Sequence, residues 1–263
     1  MSHLDAIIFG LVQGLTEFLP VSSSGHLALA RALTGSSAQN LLAFDVALHL
    51  ATLLAVLVAF RASLLELLGA RRRWVLLLML ATAPLGLVLL PVGEERHLKD
   101  LVELFAKDIR LVGLGFLATA ALLLFSRRFE RASESESHEP SQLDVKDALL
   151  IGIAQLFAVL PGVSRAGSTI TIALARGAAP EPACEFAFLL SIPAVLGAVA
   201  LEARNIHELT TLNPGPIASG FTAAFLTGLA AIGAVRWLVE RQRLWLFAPY
   251  LLACAALSFA LGG

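Results

Sequence analysis

The chain has 263 residues, of which 57% are hydrophobic and only 15% charged, with a formal net charge of −1. Soluble domains carry about 25% charged residues, so an ordinary soluble domain is excluded, and the near-neutral balance gives no hint of a nucleic-acid partner. Apolar stretches of membrane-spanning length recur; they are long, continuous and rich in Leu and Ala, which favours spanning helices over the short alternating strands of a β-barrel.

The opening "MSHLDAIIFG" has no basic region and no small-residue cleavage site, so no cleavable signal segment is expected. The first apolar region, roughly 5–33, is interrupted at Pro20 by a Ser/Gly-rich turn. Proline lacks the N–H and clashes with the preceding helical turn, so one smooth helix is excluded. Each half is too short to cross a hydrocarbon layer of about 30 Å, which predicts a re-entrant helical hairpin. Three spans follow, roughly at 42–60, 74–92 and 109–126. The segment 127–143, containing "RASESESHEPSQ", reads as a polar cytoplasmic linker. A second interrupted region, 147–176, breaks at Pro161 and predicts a second hairpin; spans at 184–202, 216–235 and 245–262 complete the chain.

The two broken regions are related. Gln13 and Gln155, Ser22 and Ser164, and Gly25 and Gly167 are each 142 positions apart, as are Gly10 and Gly152, Val21 and Val163, and Phe44 and Phe186. The chain is therefore expected to be one membrane domain over 1–263, built from repeats at 1–126 and 144–263. Three spans separate the hairpins, an odd number, so they enter from opposite faces as an inverted repeat. The expected fold is an all-α integral membrane protein with six transmembrane helices and two re-entrant hairpins. Lys and Arg concentrate in 61–73, 127–147 and 236–243, whereas acids match or outnumber them in 94–108. The positive-inside rule makes the first set cytoplasmic, so the first hairpin enters from outside and the second from the cytoplasm.

Polar residues inside these regions are the candidates for chemistry. Gln13 and Glu17 are one helical turn apart on one face, and an intramembrane carboxylate marks a functional site by default. Such oxygen ligands suit Mg²⁺ or Ca²⁺ supplemented by water and phosphate oxygens. In "PVSSSGH" a new helix is expected to start after Pro20, and its free N–H groups would attract phosphate. His26 lies near enough in sequence to Ser22, Ser23 and Ser24 to exchange a proton with a hydroxyl. In "PGVSRAGSTI", Ser164 can cap the following helix, while Arg165 at membrane depth needs an anion, either a phosphate or Glu17. Thr169 shares the face of Arg165. Asp45, His49 and Glu185 are weaker signals, read as supporting or structural residues, and Arg71–Arg73 as a topology determinant. Cys184 and Cys254 lack metal-ligand spacing and read as packing residues.

"QGLTEFLPVSSSGH" and "PGVSRAGSTI" resemble the two motifs of the undecaprenyl-diphosphate phosphatase, or bacitracin-resistance protein, family. The similarity extends over essentially the whole chain, including "FDVALHLATLLAV" and "EFAFLLSIPAVLGA". The resemblance implies a hydrolase that removes the terminal phosphate of a polyprenyl diphosphate carrier used in peptidoglycan synthesis. It also implies a divalent cation, Mg²⁺ or Ca²⁺, and a multi-pass place in the bacterial inner membrane with the active site facing the periplasm or cell exterior. By that resemblance Gln13 and Glu17 fill the acidic-motif positions and hold the metal. Glu17, Ser23, His26 and Arg165 are catalytic, with either Ser23 or His26 as nucleophile. Ser22, Ser24, Gly25, Ser164, Gly167 and Thr169 surround the phosphates. Two positions depart from the pattern: Gln13, where Glu is frequent, and Ala166, where Ser is frequent. The expected partners are the lipid substrate and membrane lipid; the oligomeric state, a homodimer included, is open. The rival reading is a polyprenyl-phosphate flippase or transporter, because inverted repeats with broken helices are also a transporter architecture.

Overall fold

The computed structural model describes residues 1–34, 41–91, 98–130, 143–202 and 213–262, and these are helical throughout apart from turns. The elements are α1 (His3–Phe18), α2 (Ser23–Thr34), α3 (Leu41–Ala59), α4 (Arg61–Leu67) and α5 (Arg72–Thr82), the last continued by a 3-10 segment at Ala83–Leu89. Then come α6 (Leu98–Lys107), α7 (Ile109–Glu130), α8 (Val145–Phe157), α9 (Arg165–Ala175), α10 (Pro180–Glu202) and α11 (Pro214–Glu240). A 3-10 turn at Leu244–Phe247 leads into α12 (Ala248–Leu261).

Among the described residues, five helical stretches are long and apolar enough to cross a membrane: Arg72–Leu89, Ile109–Phe129, Pro180–Leu201, Pro214–Glu240 and Leu244–Leu261. A sixth exists if Phe44–Ala59 and Arg61–Leu67, which meet at 75°, count as one span. The expected span at 42–60 thus ends in a sharp bend that hydropathy does not reveal. The expected span at 74–92 starts as α-helix at Arg72 and tightens to 3-10 at Ala83, where Pro84 falls in the first turn. The expected linker begins later than its composition suggests, since α7 runs on to Glu130; its stretch 131–142 lies outside the described residues. Helix α6, rich in Lys, Asp and Glu between apolar residues, occupies what the charge count treats as a loop.

Both interrupted regions break where proline requires. α1 opens on a capping box in which Ser2 Oγ accepts from Asp5 N–H and Asp5 Oδ2 accepts from Ser2 N–H, each at 3.1 Å. It closes at Phe18, one residue short of Leu19–Pro20. α8 opens on the same device, with Asp144 and Asp147 exchanging bonds of 2.9 and 3.0 Å, and closes at Phe157 ahead of Pro161. The two boxes are themselves 142 positions apart. Such reciprocal caps satisfy N–H groups that the first helical turn leaves without partners.

Each of these two helices packs tightly on a distant span at a glycine. A Cβ at Gly10 on α1 would come within 2.3 Å of the Gly220 carbonyl of α11, and one at Gly152 on α8 within 2.5 Å of the Ala81 carbonyl of α5. Only a residue without a side chain allows such backbone approach, and packing of this kind drives helix association in lipid. α1 and α2 pack on each other, as do α8 and α9, and α2 and α9 both lean on α7. The main apolar core includes Phe18, Phe116, Phe186 and Phe188, with Phe18 and Phe188 meeting edge-to-face at 5.6 Å. Large apolar side chains such as Leu65, Leu76 and Leu226 remain exposed on the outer faces, as a lipid-facing surface requires.

Candidate active site

The turns that interrupt the two broken regions meet. Ser22, at φ +72°, turns the chain into α2. Its hydroxyl accepts from the Gly162 N–H at 3.1 Å across the two turns and lies 3.4 Å from the Gly25 N–H. Ser164 caps α9 by accepting from Gly167 N–H at 3.0 Å. Thr119 of α7, fully buried, braces the second turn: its Oγ1 accepts from Ser164 N–H at 3.0 Å and donates to the Gly162 carbonyl at 2.8 Å.

This arrangement seats Glu17, in the last turn of α1, against Arg165, the first residue of α9. The guanidinium contacts Glu17 Oε1, while Oε2 accepts from Ser23 Oγ at 2.5 Å and from Gln13 Nε2 at 3.0 Å. A carboxylate with three donors is well stabilised as an anion, and a short hydroxyl contact on it is the geometry of a proton acceptor beside a nucleophile. Glu17, Ser22, Ser23, Ser24, Ser164 and Arg165 line one cavity of about 640 Å³, whose remaining walls are mostly apolar. His49, Thr82 and Gln155 complete the polar lining.

Other expected site residues sit around this centre without lining the cavity. The imidazole of His26 faces away from Ser23: Nδ1 lies 2.7 Å from the Ser22 carbonyl and Nε2 2.8 Å from the Tyr250 hydroxyl. It stacks on Tyr250 and meets Phe116 edge-on. Ser23 therefore has Glu17, not His26, as the acceptor for its hydroxyl. Thr169 donates back to the Arg165 carbonyl at 2.9 Å and is buried. Gly25 is pressed against the Phe116 ring and Gly162, and Gly167 against Pro20, so both serve the contact between the turns. Asp45 pairs with Arg31, tying α3 to α2, and its carbonyl holds His49 Nδ1 at 2.8 Å. Glu185 lies elsewhere: both its oxygens accept from Arg71 at 2.9 Å, and Arg71 stacks on Trp74 at 4.0 Å. That gives the Arg71–Arg73 run a fold-holding contact that a topology reading alone does not include.

Among the described residues, no three His, Cys, Asp or Glu side chains converge on a point where an ion could sit. The available set is smaller: the Glu17 carboxylate and Gln13, whose Oε1 is buried without a partner. One carboxylate, one amide oxygen and oxygens from substrate and water fit the demands of Mg²⁺ or Ca²⁺. Sequence reasoning passed over Gln155, Thr119 and Tyr250 as site residues. Gln155 is buried at the cavity with an unpartnered Oε1, and its 142-residue relation to Gln13 was a usable signal. Thr119 and Tyr250 come from spans with nothing local to mark them.

Taken together, the fold and site define a multi-pass integral membrane protein of α-helices, with a carboxylate–guanidinium–hydroxyl centre where two interrupted helical regions meet. The family model "Bacitracin resistance protein BacA" matches residues 6–257, and the chain belongs to that family. It is 39% identical to the undecaprenyl-diphosphatase of Syntrophotalea carbinolica over 99% of both chains. It is 37% identical to that of Methanobrevibacter smithii over 95% of this chain and 94% of the relative. The undecaprenyl-diphosphatase of Bacteroides thetaiotaomicron is 36% identical, over 99% and 98% of the two chains.

Proposed function

We propose that the chain is an undecaprenyl-diphosphatase, hydrolysing the lipid carrier diphosphate to monophosphate and phosphate for reuse in peptidoglycan synthesis. The observation that carries this reading is the 2.5 Å contact of Ser23 Oγ with Glu17, beside Arg165, at one end of a largely apolar cavity. Sequence kinship with relatives of that name over nearly full length supports it. Abundance of such an activity would confer bacitracin resistance.

In this reading the diphosphate displaces Glu17 from part of the Arg165 fork, whose planar donors match phosphate oxygens. Ser23 Oγ forms a bond to the terminal phosphorus as Glu17 takes its proton, and the anhydride P–O bond breaks. The lipid monophosphate leaves with the proton that Glu17 returns. Water then attacks the phosphoseryl phosphorus, Glu17 accepts its proton and hands one back to the departing Ser23 oxygen. Arg165 and the first turns of α2 and α9 stabilise the charge on the equatorial oxygens. A bound Mg²⁺ or Ca²⁺, held by Glu17 and Gln13, would neutralise phosphate charge. His26 acts through the turn: its Nδ1–H holds the Ser22 carbonyl and so the position of Ser23.

The same reading takes 5–33 and 147–176 as re-entrant hairpins of an inverted repeat, supported by their paired capping boxes, proline breaks and serine caps. It places the Arg71–Glu185 end toward the cytoplasm by the positive-inside rule and the cavity toward the outer face of the bacterial inner membrane. Phosphate release from undecaprenyl diphosphate by the purified protein in detergent, with and without chelator, tests the assignment; no release at any divalent-cation concentration would overturn it.

A further inference from the structure

His49 enters the cavity from α3, and its ring has one nitrogen to spare. Nδ1 lies 2.8 Å from the Asp45 carbonyl, one turn back on the same helix. A carbonyl can only accept, so Nδ1 carries a hydrogen and Nε2 is left for other work. Among the described residues no hydrogen bond or ion pair uses Nε2, and the partly buried ring lines the same cavity as Glu17, Ser23 and Arg165. A bond within one helical turn ties no two elements together, so holding the fold does not demand a histidine here.

The charges nearest the ring are mostly engaged. On α3 itself, Asp45 is paired with Arg31 of α2. α3 also packs on α1, α4, α10 and α11. From α1 comes Glu17, whose carboxylate the His49 charge reaches without a direct bond; His3 and Asp5 sit at the opposite end of that helix. α4 carries Arg61 and Glu66. α10 carries Glu181 and Glu185, which pair with Arg236 and Arg71, and ends at Glu202. α11 has no ionisable side chain from Pro214 to Val235. Among the described residues that line the cavity, the ionisable ones are Glu17, Arg165 and His49.

A diphosphate head brings several negative charges into this space. Arg165 is the lining side chain with a permanent positive charge, and it already shares that charge with Glu17. His49 is the other lining group that can become a cation. We infer that His49 is a second cationic contact for the diphosphate head: the ring takes up a proton from water as the head arrives, and Nε2–H donates to a phosphate oxygen while Nδ1–H stays on the Asp45 carbonyl. The inference rests on the reading of Glu17, Ser23 and Arg165 as the diphosphate end. Such a charge-assisted bond is about twice as strong as a neutral one, and the proton returns to water when the phosphates leave.

Calorimetry with methylenediphosphonate, a diphosphate head without a cleavable bridge, tests this on the purified protein in detergent at fixed free Mg²⁺. His49→Leu removes the ring and should weaken binding about ten-fold or more, with a matching rise in KM for undecaprenyl diphosphate. His49→Gln keeps a neutral donor and should lose about three-fold. Proton uptake is the readout that packing cannot imitate. Titrations in buffers of different ionisation enthalpy at about pH 7.5 should show wild type taking up more of a proton on binding than His49→Gln does. That difference should shrink as pH falls, because a ring already charged before binding takes up nothing. Equal affinity of wild type and His49→Leu overturns the contact and leaves the diphosphate reading standing. Equal proton uptake by wild type and His49→Gln overturns the cationic role, and this comparison holds even if His49→Leu does not fold. A wild type that neither binds methylenediphosphonate nor releases phosphate from undecaprenyl diphosphate overturns the reading of Glu17 and Arg165, and this contact with it.

Discussion

Arg165 and Glu17 stand 148 positions apart in the chain and are in direct contact, with 20% and 6% of their side chains exposed. Each sits where a helix meets a turn, Glu17 ending α1 and Arg165 starting α9. Neither charge could be withdrawn from water alone, since isolated burial costs far more than a pair with good hydrogen bonds. The pair thus ties the end of α1 to the start of α9. In the proposed reaction, phosphate would compete with Glu17 for that guanidinium, and binding would free the carboxylate to accept the Ser23 proton.

Breaking this pair on one side should cost more than removing it entirely. Arg165→Ala strands Glu17 and should destabilise the protein by about 3–5 kcal/mol, read as a lowered Tm in detergent. Arg165→Met combined with Glu17→Gln should recover most of that loss while leaving phosphate release undetectable. A double variant no more stable than Arg165→Ala would show that the contact does not constrain the fold.

The three serines should separate by role. Ser23→Ala removes the hydroxyl on Glu17 and should lower kcat by about 10³-fold or more, as deletion of a nucleophile does. Ser24→Ala, exposed at the cavity without a bond to Glu17, should cost less than about ten-fold. Ser22→Ala takes away the oxygen that accepts the Gly162 N–H, so its main effect should be on Tm. Equal kcat losses for Ser23→Ala and Ser24→Ala would displace Ser23 from the nucleophile role.

Gln13 gives the metal reading a sharp test. Its Oε1 is buried and unpartnered next to Glu17, so it can accept a cation but contributes no charge. Gln13→Glu adds a second carboxylate and should lower the half-activating Mg²⁺ concentration about ten-fold, whereas Gln13→Ala should raise it by a similar factor. Titration of phosphate release against free Mg²⁺ separates these outcomes from no change, which would remove Gln13 from the ligand set.

Much of this centre was legible in sequence because its residues are expensive. A carboxylate and a guanidinium in apolar surroundings, each beside a proline break and a serine cap, announce themselves without a structure. Arg165 in such surroundings requires an anion, either a phosphate or Glu17, and the structure pairs it with Glu17. What sequence could not supply was direction. His26 is only three residues from Ser23, yet its ring packs between Phe116 and Tyr250 and bonds the Tyr250 hydroxyl, partners that lie far away in the chain. Tyr250, the only tyrosine, meets it from 224 positions away. The bend of 75° between α3 and α4 was equally hidden, since hydropathy reports burial and not axis direction.

His26 offers the last test because its two nitrogens have different work. The Ser22 carbonyl can only accept, so Nδ1 carries the hydrogen, and in the neutral ring Nε2 then accepts from the Tyr250 O–H. The bond to Ser22 shapes the turn that delivers Ser23, while the bond to Tyr250 only steadies the ring, at a half-exposed position. His26→Asn keeps a side-chain N–H near the place of Nδ1 and should retain more activity than His26→Ala. Tyr250→Phe should lower kcat by no more than about ten-fold, the scale of one lost neutral hydrogen bond. Steady-state kinetics on undecaprenyl diphosphate decide it. If His26→Asn were as inactive as His26→Ala while equally folded, the imidazole would have to act on substrate directly, after a rotation out of the pocket formed by Phe116 and Tyr250.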